Sequence, residues 1–225
     1  MSIQKRHYIS GQAYFLLQES VDCSECFYDA ACSNHFLKRL LSCLCAYQIK
    51  LHAFVVLPKE VMLLLTPATP TGIADMMQLV CCAYRHYFMM RFERGGTPWK
   101  GSFKSSLVQL GPLLLDCQKY VELAPVRLGI VNHPGEYRFS SYNCNAFGGH
   151  SKPMQANEDG AQYMVANSGE VNHYKAYRDF LADSFSEERY KELDQLLRGG
   201  QPLIDKNYKK VVTKAVKVKR RKHDK

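Results

Sequence analysis

Four soft or borderline donors stand close together near the start of the chain, in the order Cys23-x2-Cys26-x5-Cys32-x2-His35. Thiolates and an imidazole at short intervals are the donor set of a structural Zn²⁺ site. The intervals do not match a zinc ribbon, and the segment links a probable-strand pattern to a helical one, so incidental thiols are the plainer reading and zinc the competing one. A second group of chemistry-bearing residues closes the sequence. Lys209, Lys210, Lys214, Lys217, Lys219, Arg220, Arg221 and Lys222 are interspersed with Val and Ala, a composition suited to neutralising phosphates. Ten of the 30 Lys+Arg but only one of the 21 Asp+Glu fall in residues 206–225, which leaves twenty of each sign before them. The whole net charge of +9 is therefore a property of the tail, and the body is neutral. Tyrosine, a third reactive type, occurs 14 times, and residue type alone singles none of them out.

The elements that must position these groups follow from hydrophobic spacing. Residues 12–18 (QAYFLLQ) have strand character, and the polar run ESVDCSEC before Phe27 suggests a hairpin-type connection. From Asp29 to Tyr47 the apolar residues Phe36, Leu37, Leu40, Leu41 and Leu44 recur at three and four, the period of a helix. Ile49–Val56 and Glu60–Thr66, joined by Leu57-Pro58-Lys59, predict a buried antiparallel pair. Helical spacing returns over 73–92 and ends at Gly95-Gly96-Thr97-Pro98. A strand over 102–109 and a short helix over 113–123 follow, with Pro112 in its first turn and Pro125 as its stop. One further helix is predicted over about residues 172–198, closed by Gly199-Gly200. The order strand, helix, strand, strand, helix, strand, helix predicts an α+β fold: a ferredoxin-like antiparallel sheet with helices packed on it, a C-terminal helical extension and a basic tail. The expected divisions are 1–148 for the sheet domain, 149–205 for a polar linker with the helical extension, and 206–225 for the tail.

At 225 residues, with 46% hydrophobic and 23% charged side chains, the composition is that of a folded domain. No apolar run has signal-peptide or membrane-span length, and nine cysteines, an odd number, fit a reduced compartment better than a disulfide framework. A cytoplasmic protein without membrane contact is the expectation.

Three stretches together carry a family likeness: Lys50–Leu65 (KLHAFVVLPKEVMLLL), Met76–Val108 (MMQLVCCAYRHYFMMRFERGGTPWKGSFKSSLV) and Lys119–Tyr142 (KYVELAPVRLGIVNHPGEYRFSSY). In order and wording they resemble the REP-associated tyrosine transposases, which are single-tyrosine HUH transposases, and RGGQPLIDKNYKKVV resembles the C-terminal region of that family. The resemblance implies a ferredoxin-like nuclease that binds hairpins in single-stranded DNA, uses Mg²⁺ or Mn²⁺, and cuts through a 5′-phosphotyrosine, with Tyr120 at the nucleophile position. It also implies three metal ligands, two histidines on a strand and an asparagine one helical turn after the tyrosine. At those positions this chain has Glu60, Met62 and Ala124. A thioether is too soft for such an ion and a methyl is no ligand, so one carboxylate would stand for three groups. The family's Arg-Gly-Asn loop reads Glu19-Ser20-Val21-Asp22, and its acidic or amide residue after Trp99 is Lys100.

These departures predict a transposase-like DNA-binding protein that has lost metal-dependent nicking and needs no cofactor. An active tyrosine transposase with a site rebuilt around Glu60, and a host-adapted nucleic-acid-binding regulator without chemistry, are the alternatives. The expected partner is single-stranded or hairpin DNA, with structured RNA as a variant of it, bound by a monomer or homodimer. Lys100, Lys104, Arg127 and Arg138 fall in the best-matching segments and are expected as phosphate contacts beside the tail. Trp99 and Tyr142 are expected either to stack on bases or to brace turns. Glu60 reads as a strand-end carboxylate satisfied by solvent, and His52 as a packed strand histidine.

Overall fold

Alternation at period two gives each strand two apolar faces, which obliges the sheet to be covered on both sides. The computed structural model describes residues 6–148, 173–183, 185–205 and Tyr208. Its strands are β1 (Ala13–Glu19), β2 (Ile49–Leu57), β3 (Glu60–Pro67) and β4 (Lys104–Val108), in the order β2-β3-β1-β4 with every pairing antiparallel. Helix α1 (Ala30–Ala46) connects β1 to β2, and α2 (Gly72–Phe92) connects β3 to β4. This is the β-α-β-β-α-β arrangement of the predicted ferredoxin-like sheet.

Both crossover helices lie on one face. Tyr14, Leu16, Phe54, Val56, Leu63 and Leu65 of the strands pack there against Phe36, Leu40 and Leu44 of α1 and Met76, Val80 and Tyr84 of α2. Met76, Met77, Tyr84 and Phe88 of α2 are core, whereas Met90 on the same helix is exposed. Along β2 the inward-facing parity changes between Leu51 and Ala53, where His52 is the extra residue of a bulge. His52 is fully buried there, with Nε2 2.8 Å from Thr66 Oγ1.

The opposite face, carrying Ala13, Phe15, Leu17, Val55, Met62 and Leu64, is covered by two further helices. They are α3 (Pro112–Glu122), started by Pro112 as predicted, and the helix over Glu187–Arg198. Pro125 does not stop the chain in extended form. It sits inside another helical turn, α4 (Ala124–Arg127), at a position whose missing N–H needs no partner. After α5 (Tyr142–Phe147), the predicted single helix over about 172–198 is two: α6 (His173–Ala182) and α7 (Glu187–Arg198). The break has a local cause, since Ser186 turns its side chain to accept from Arg189 N at 3.2 Å and begins a new helix. The polar run after β1 is likewise no hairpin: it passes through one 3₁₀ turn, Val21–Cys23, into α1, whose N-cap Asp29 accepts from Cys32 N at 2.9 Å.

Both sheet edges are covered by passing chain. Residues 139–141 bond along β2 through Val56 N to Phe139 O and Ser141 N to Phe54 O, and Leu203 lies parallel to β4 with bonds to Leu107 and Gln109. Among the described residues, no helix is long and apolar enough to cross a membrane.

Candidate functional site

Strand β3 begins at Glu60 and is bracketed by β1 and β2, so Met62, the second of its inward-alternating residues, points into the layer between the sheet and α3. Helix α3 carries Tyr120 into that same layer, and Ala124 follows one turn later. The fold therefore brings together all four positions that the family resemblance marks. What fills the space between them is α7. Leu193 and Leu197 on its inner face are fully buried against the same cluster. Its polar flank, Tyr190, Asp194 and Arg198, reaches the marked positions one by one.

Arg198 forms a two-pronged pair with Glu60, Nη1 to Oε2 at 2.8 Å and Nη2 to Oε1 at 2.7 Å. Its Nε donates to Asp194 Oδ1 at 3.0 Å. The Glu60 side chain is only 12% exposed, so the expectation of a solvent-satisfied strand-end carboxylate is corrected: a guanidinium from 138 residues away holds both of its oxygens. Glu19 lies directly across the strand pair from Glu60, and Lys104 Nζ holds it at 2.8 Å. The Lys104 bond keeps the Glu19 carboxyl below the usual carboxylate range. The hydrogen bonds from Arg198 to Glu60, conversely, hold the guanidinium more firmly protonated than usual.

Tyr120 is wholly buried, and its hydroxyl donates to Asp194 Oδ1 at 2.7 Å. Tyr190 stacks beside it with ring centres 6.0 Å apart, and Phe15 meets it edge-on. Burial raises the Tyr120 phenol above its ordinary range, although the nearby Arg198 charge acts the other way. A phenol used as a nucleophile must shed its proton, so this environment opposes that role. Arg127 is turned inward as well. Its guanidinium lies 4.4 Å from the centre of the Tyr120 ring and 4.9 Å from that of Tyr190, and burial lowers its pKa.

The divalent metal implied by the family does not fit these residues. Both Glu60 oxygens are engaged by Arg198, the Met62 thioether is enclosed among aliphatic side chains, and Ala124 brings a methyl. Among the described residues, no three of His, Cys, Asp and Glu are grouped so as to hold a metal ion. Of the early cysteine and histidine residues, Cys26 and Cys32 share one buried cluster, while His35 is turned toward Tyr87. Cys26 is buried and its thiol is pushed up to about 12 by burial, Cys32 Sγ receives a weak contact from Arg91 Nη1 at 3.5 Å, and the His35 ring stacks on Tyr87 at 3.9 Å. The Cys23 side chain lies outside the described residues.

The other expected contacts divide by exposure. Lys100 and Arg138 are exposed, Arg138 resting on the Phe139 ring, while Lys104 is exposed but paired with Glu19. Trp99 and Tyr142 are both buried. Trp99 Nε1 donates to the Cys81 carbonyl at 3.1 Å, so Trp99 braces the turn after α2 and is not free to stack on a base. Residues Lys209, Lys210, Lys214, Lys217, Lys219, Arg220, Arg221 and Lys222 lie outside the described residues. Asp194 and Arg198 were missed at the level of sequence, although Tyr190, Asp194 and Arg198, spaced by four, share one helix face and were the available signal.

The class these features define is an α+β domain of ferredoxin-like topology, with a tyrosine-bearing helix set chiefly against β2 and β3 on the face away from the crossover helices. Among solved structures it is similar to a REP-associated tyrosine transposase bound to a REP hairpin, with 17% identity over 70% of this chain and 92% of that chain and a TM-score of 0.53. A Deinococcus radiodurans protein described as a candidate transposase (19% identity, 57% of this chain, 92% of that chain, TM-score 0.38) is more distant. So is the tRNA(His) guanylyltransferase of Saccharomyces cerevisiae (7%, 92%, 84%, 0.40). No family model matches the sequence, and no curated protein matches it. The first of these likenesses establishes a transposase-like fold for the chain.

Proposed function

We propose that this protein binds single-stranded or hairpin DNA on a transposase-like fold and does not nick it. The observation that carries this reading is the closure of α7 over the former site. Arg198 neutralises Glu60, Asp194 takes the Tyr120 proton as a hydrogen bond, and Met62 and Ala124 complete an apolar wall. A phosphodiester would have to displace a helix to reach the Tyr120 oxygen, and of the three ligand positions would then find a donor suited to Mg²⁺ only at Glu60. The solved relative is a transposase bound to a REP hairpin, which supports nucleic acid as the partner class. The exposed Lys100 and Arg138 and the basic residues of 206–225 supply cations for phosphates.

The engagement of Glu60 by Arg198 weighs against a rebuilt catalytic centre, since a carboxylate with both oxygens accepting from a guanidinium is a poor ligand for Mg²⁺. Incubation of the full chain with a labelled hairpin and Mg²⁺ or Mn²⁺, beside Tyr120→Phe, tests the proposal. Retained binding without a denaturation-resistant protein–DNA adduct is expected, and an adduct that disappears in the Phe variant would overturn it.

A further inference from the structure

The neutral body conceals an uneven charge distribution. Helices α6 and α7 carry acids and bases in equal number, whereas α1 and α2 carry Lys38, Arg39, Arg85 and Arg91 against Asp75 alone. Between α1 and α2, on their solvent side, runs an open groove of about 740 Å³ lined by His35, Lys38, Arg39, His86, Tyr87 and Met90. Among the described residues, no carboxylate lines it. Lys38 and Arg39 are exposed and meet no acid among the described residues, in contrast to Lys104, Arg91, Arg189 and Arg198, each of which is paired with one. The floor is aromatic and soft: the Tyr87 ring is stacked on His35, and the Met90 side chain is 70% exposed at the rim.

Unpaired cations above an aromatic and thioether surface are the two halves of a single-strand site, one for the backbone and one for the faces of the bases. We propose that the α1–α2 groove holds a single-stranded nucleic-acid segment, with its phosphates at Lys38 and Arg39 and its bases against Tyr87 and Met90. The proposal rests on the nucleic-acid-binding function above and adds a location, on the face of the sheet opposite Tyr120. A strand held there is bound away from the closed site. The local field agrees with this assignment: burial, then the charges of Arg39 and Lys38, lowers the His35 pKa, so a phosphate in the groove would raise it again.

The test uses the full chain and a fluorescent hairpin with a single-stranded extension, titrated by anisotropy over a range of salt. Lys38→Ala/Arg39→Ala is the variant and Lys191→Ala, on α7, the control. Two lost phosphate contacts at about 0.7 each should flatten the slope of log K against log[salt] by about 1.4 and weaken binding at 0.1 M salt by about 25-fold, with the control unchanged. In the wild type, the oligonucleotide should also shift the NMR titration of the His35 ring to higher pH. If the wild type binds the hairpin and the double variant binds it with the same slope, the groove is refuted while the general function stands. If the wild type binds no nucleic acid, both fail. If polyglutamate of equal charge displaces the oligonucleotide from the groove as readily as unlabelled DNA does, an acidic protein is the occupant and the proposal is overturned.

Discussion

The pair Arg198–Glu60 decides whether α7 is fastened to the start of β3 or merely lies near it. Replacing Arg198 by Met keeps the aliphatic stem and removes three charge-assisted bonds, two to Glu60 at 2.8 and 2.7 Å and one to Asp194 at 3.0 Å. Hydrogen bonds to charged groups contribute about 1.5–3 kcal/mol each. The Arg198 side chain is 32% exposed, so water recovers part of that, and a coupling of about 2 kcal/mol with Glu60 is the reasonable figure. The single variant should cost more, about 3 kcal/mol, because Glu60 is left beside Glu19 across the strand pair with no guanidinium between them and solvent nearly excluded. For a chain of this size that is a fall of about 6–12 °C in Tm. The assay is a double-mutant cycle by urea denaturation with Arg198→Met, Glu60→Gln and the pair. The double variant should lie about 2 kcal/mol above the sum of the singles, with m values unchanged. Additivity within about 0.5 kcal/mol would mean that Arg198 and Glu60 do not hold each other in solution, and the account of a closed site would fall.

Three other outcomes are expected. Tyr120→Phe should lower stability by about 1–1.5 kcal/mol through the lost bond to Asp194 and leave hairpin affinity unchanged; denaturation and anisotropy on the same samples check both halves. Glu122 is buried and accepts from Ser141, Asn145 and Tyr177, and burial raises its carboxyl to about 7 from 4.5. The native state thus holds the proton more tightly than the unfolded chain. Its contribution is complete below about pH 4.5 and lost as pH rises through 7, so stability should fall by about 2.5 kcal/mol from pH 5 to 8, and Glu122→Gln should flatten that part of the profile. Deleting residues 206–225 should weaken hairpin binding and reduce the salt slope by about 3 to 4, if half of the tail engages phosphates; an unchanged slope would remove the tail from the contact surface.

Period-two and period-three-to-four spacing was enough to place β2, β3, α1 and α2 within a residue or two, because those elements are held by their own buried faces. The run after β1 was misread as a hairpin since its polarity is the same whether a strand or a helix follows. Asp29 as a helix cap was the cue that separates the two. The one long C-terminal helix became two because Ser186, a side chain that competes for backbone N–H groups, lies inside an otherwise continuous amphipathic pattern. The family resemblance located Tyr120, Glu60, Met62 and Ala124, and the fold does gather them. What encloses them could not be read locally: Glu60 looks like any strand-end carboxylate until a residue 138 positions away is known to face it. Leu193 and Leu197 announced an amphipathic helix, but an apolar stripe does not say which surface it will cover.

The burial of Met62 and Tyr120 under Leu193 and Leu197 bears on which positions of the chain can change. An open cleft cannot contribute to packing, whereas a filled one can, and here Met62, Tyr120 and Ala124 all lie in the buried cluster that supports the fold. Histidine introduced at position 62 would place an imidazole in an apolar cluster, at position 60 it would leave Arg198 without its carboxylate, and asparagine at 124 would bring an amide into that cluster. Each of these substitutions taken alone should lower stability, so the requirement for a folded protein works against all three. The packing of α7 thus acts as a latch: its side chains depend on the space beside Tyr120 being filled, so the outer surfaces accept change far more readily than this layer does.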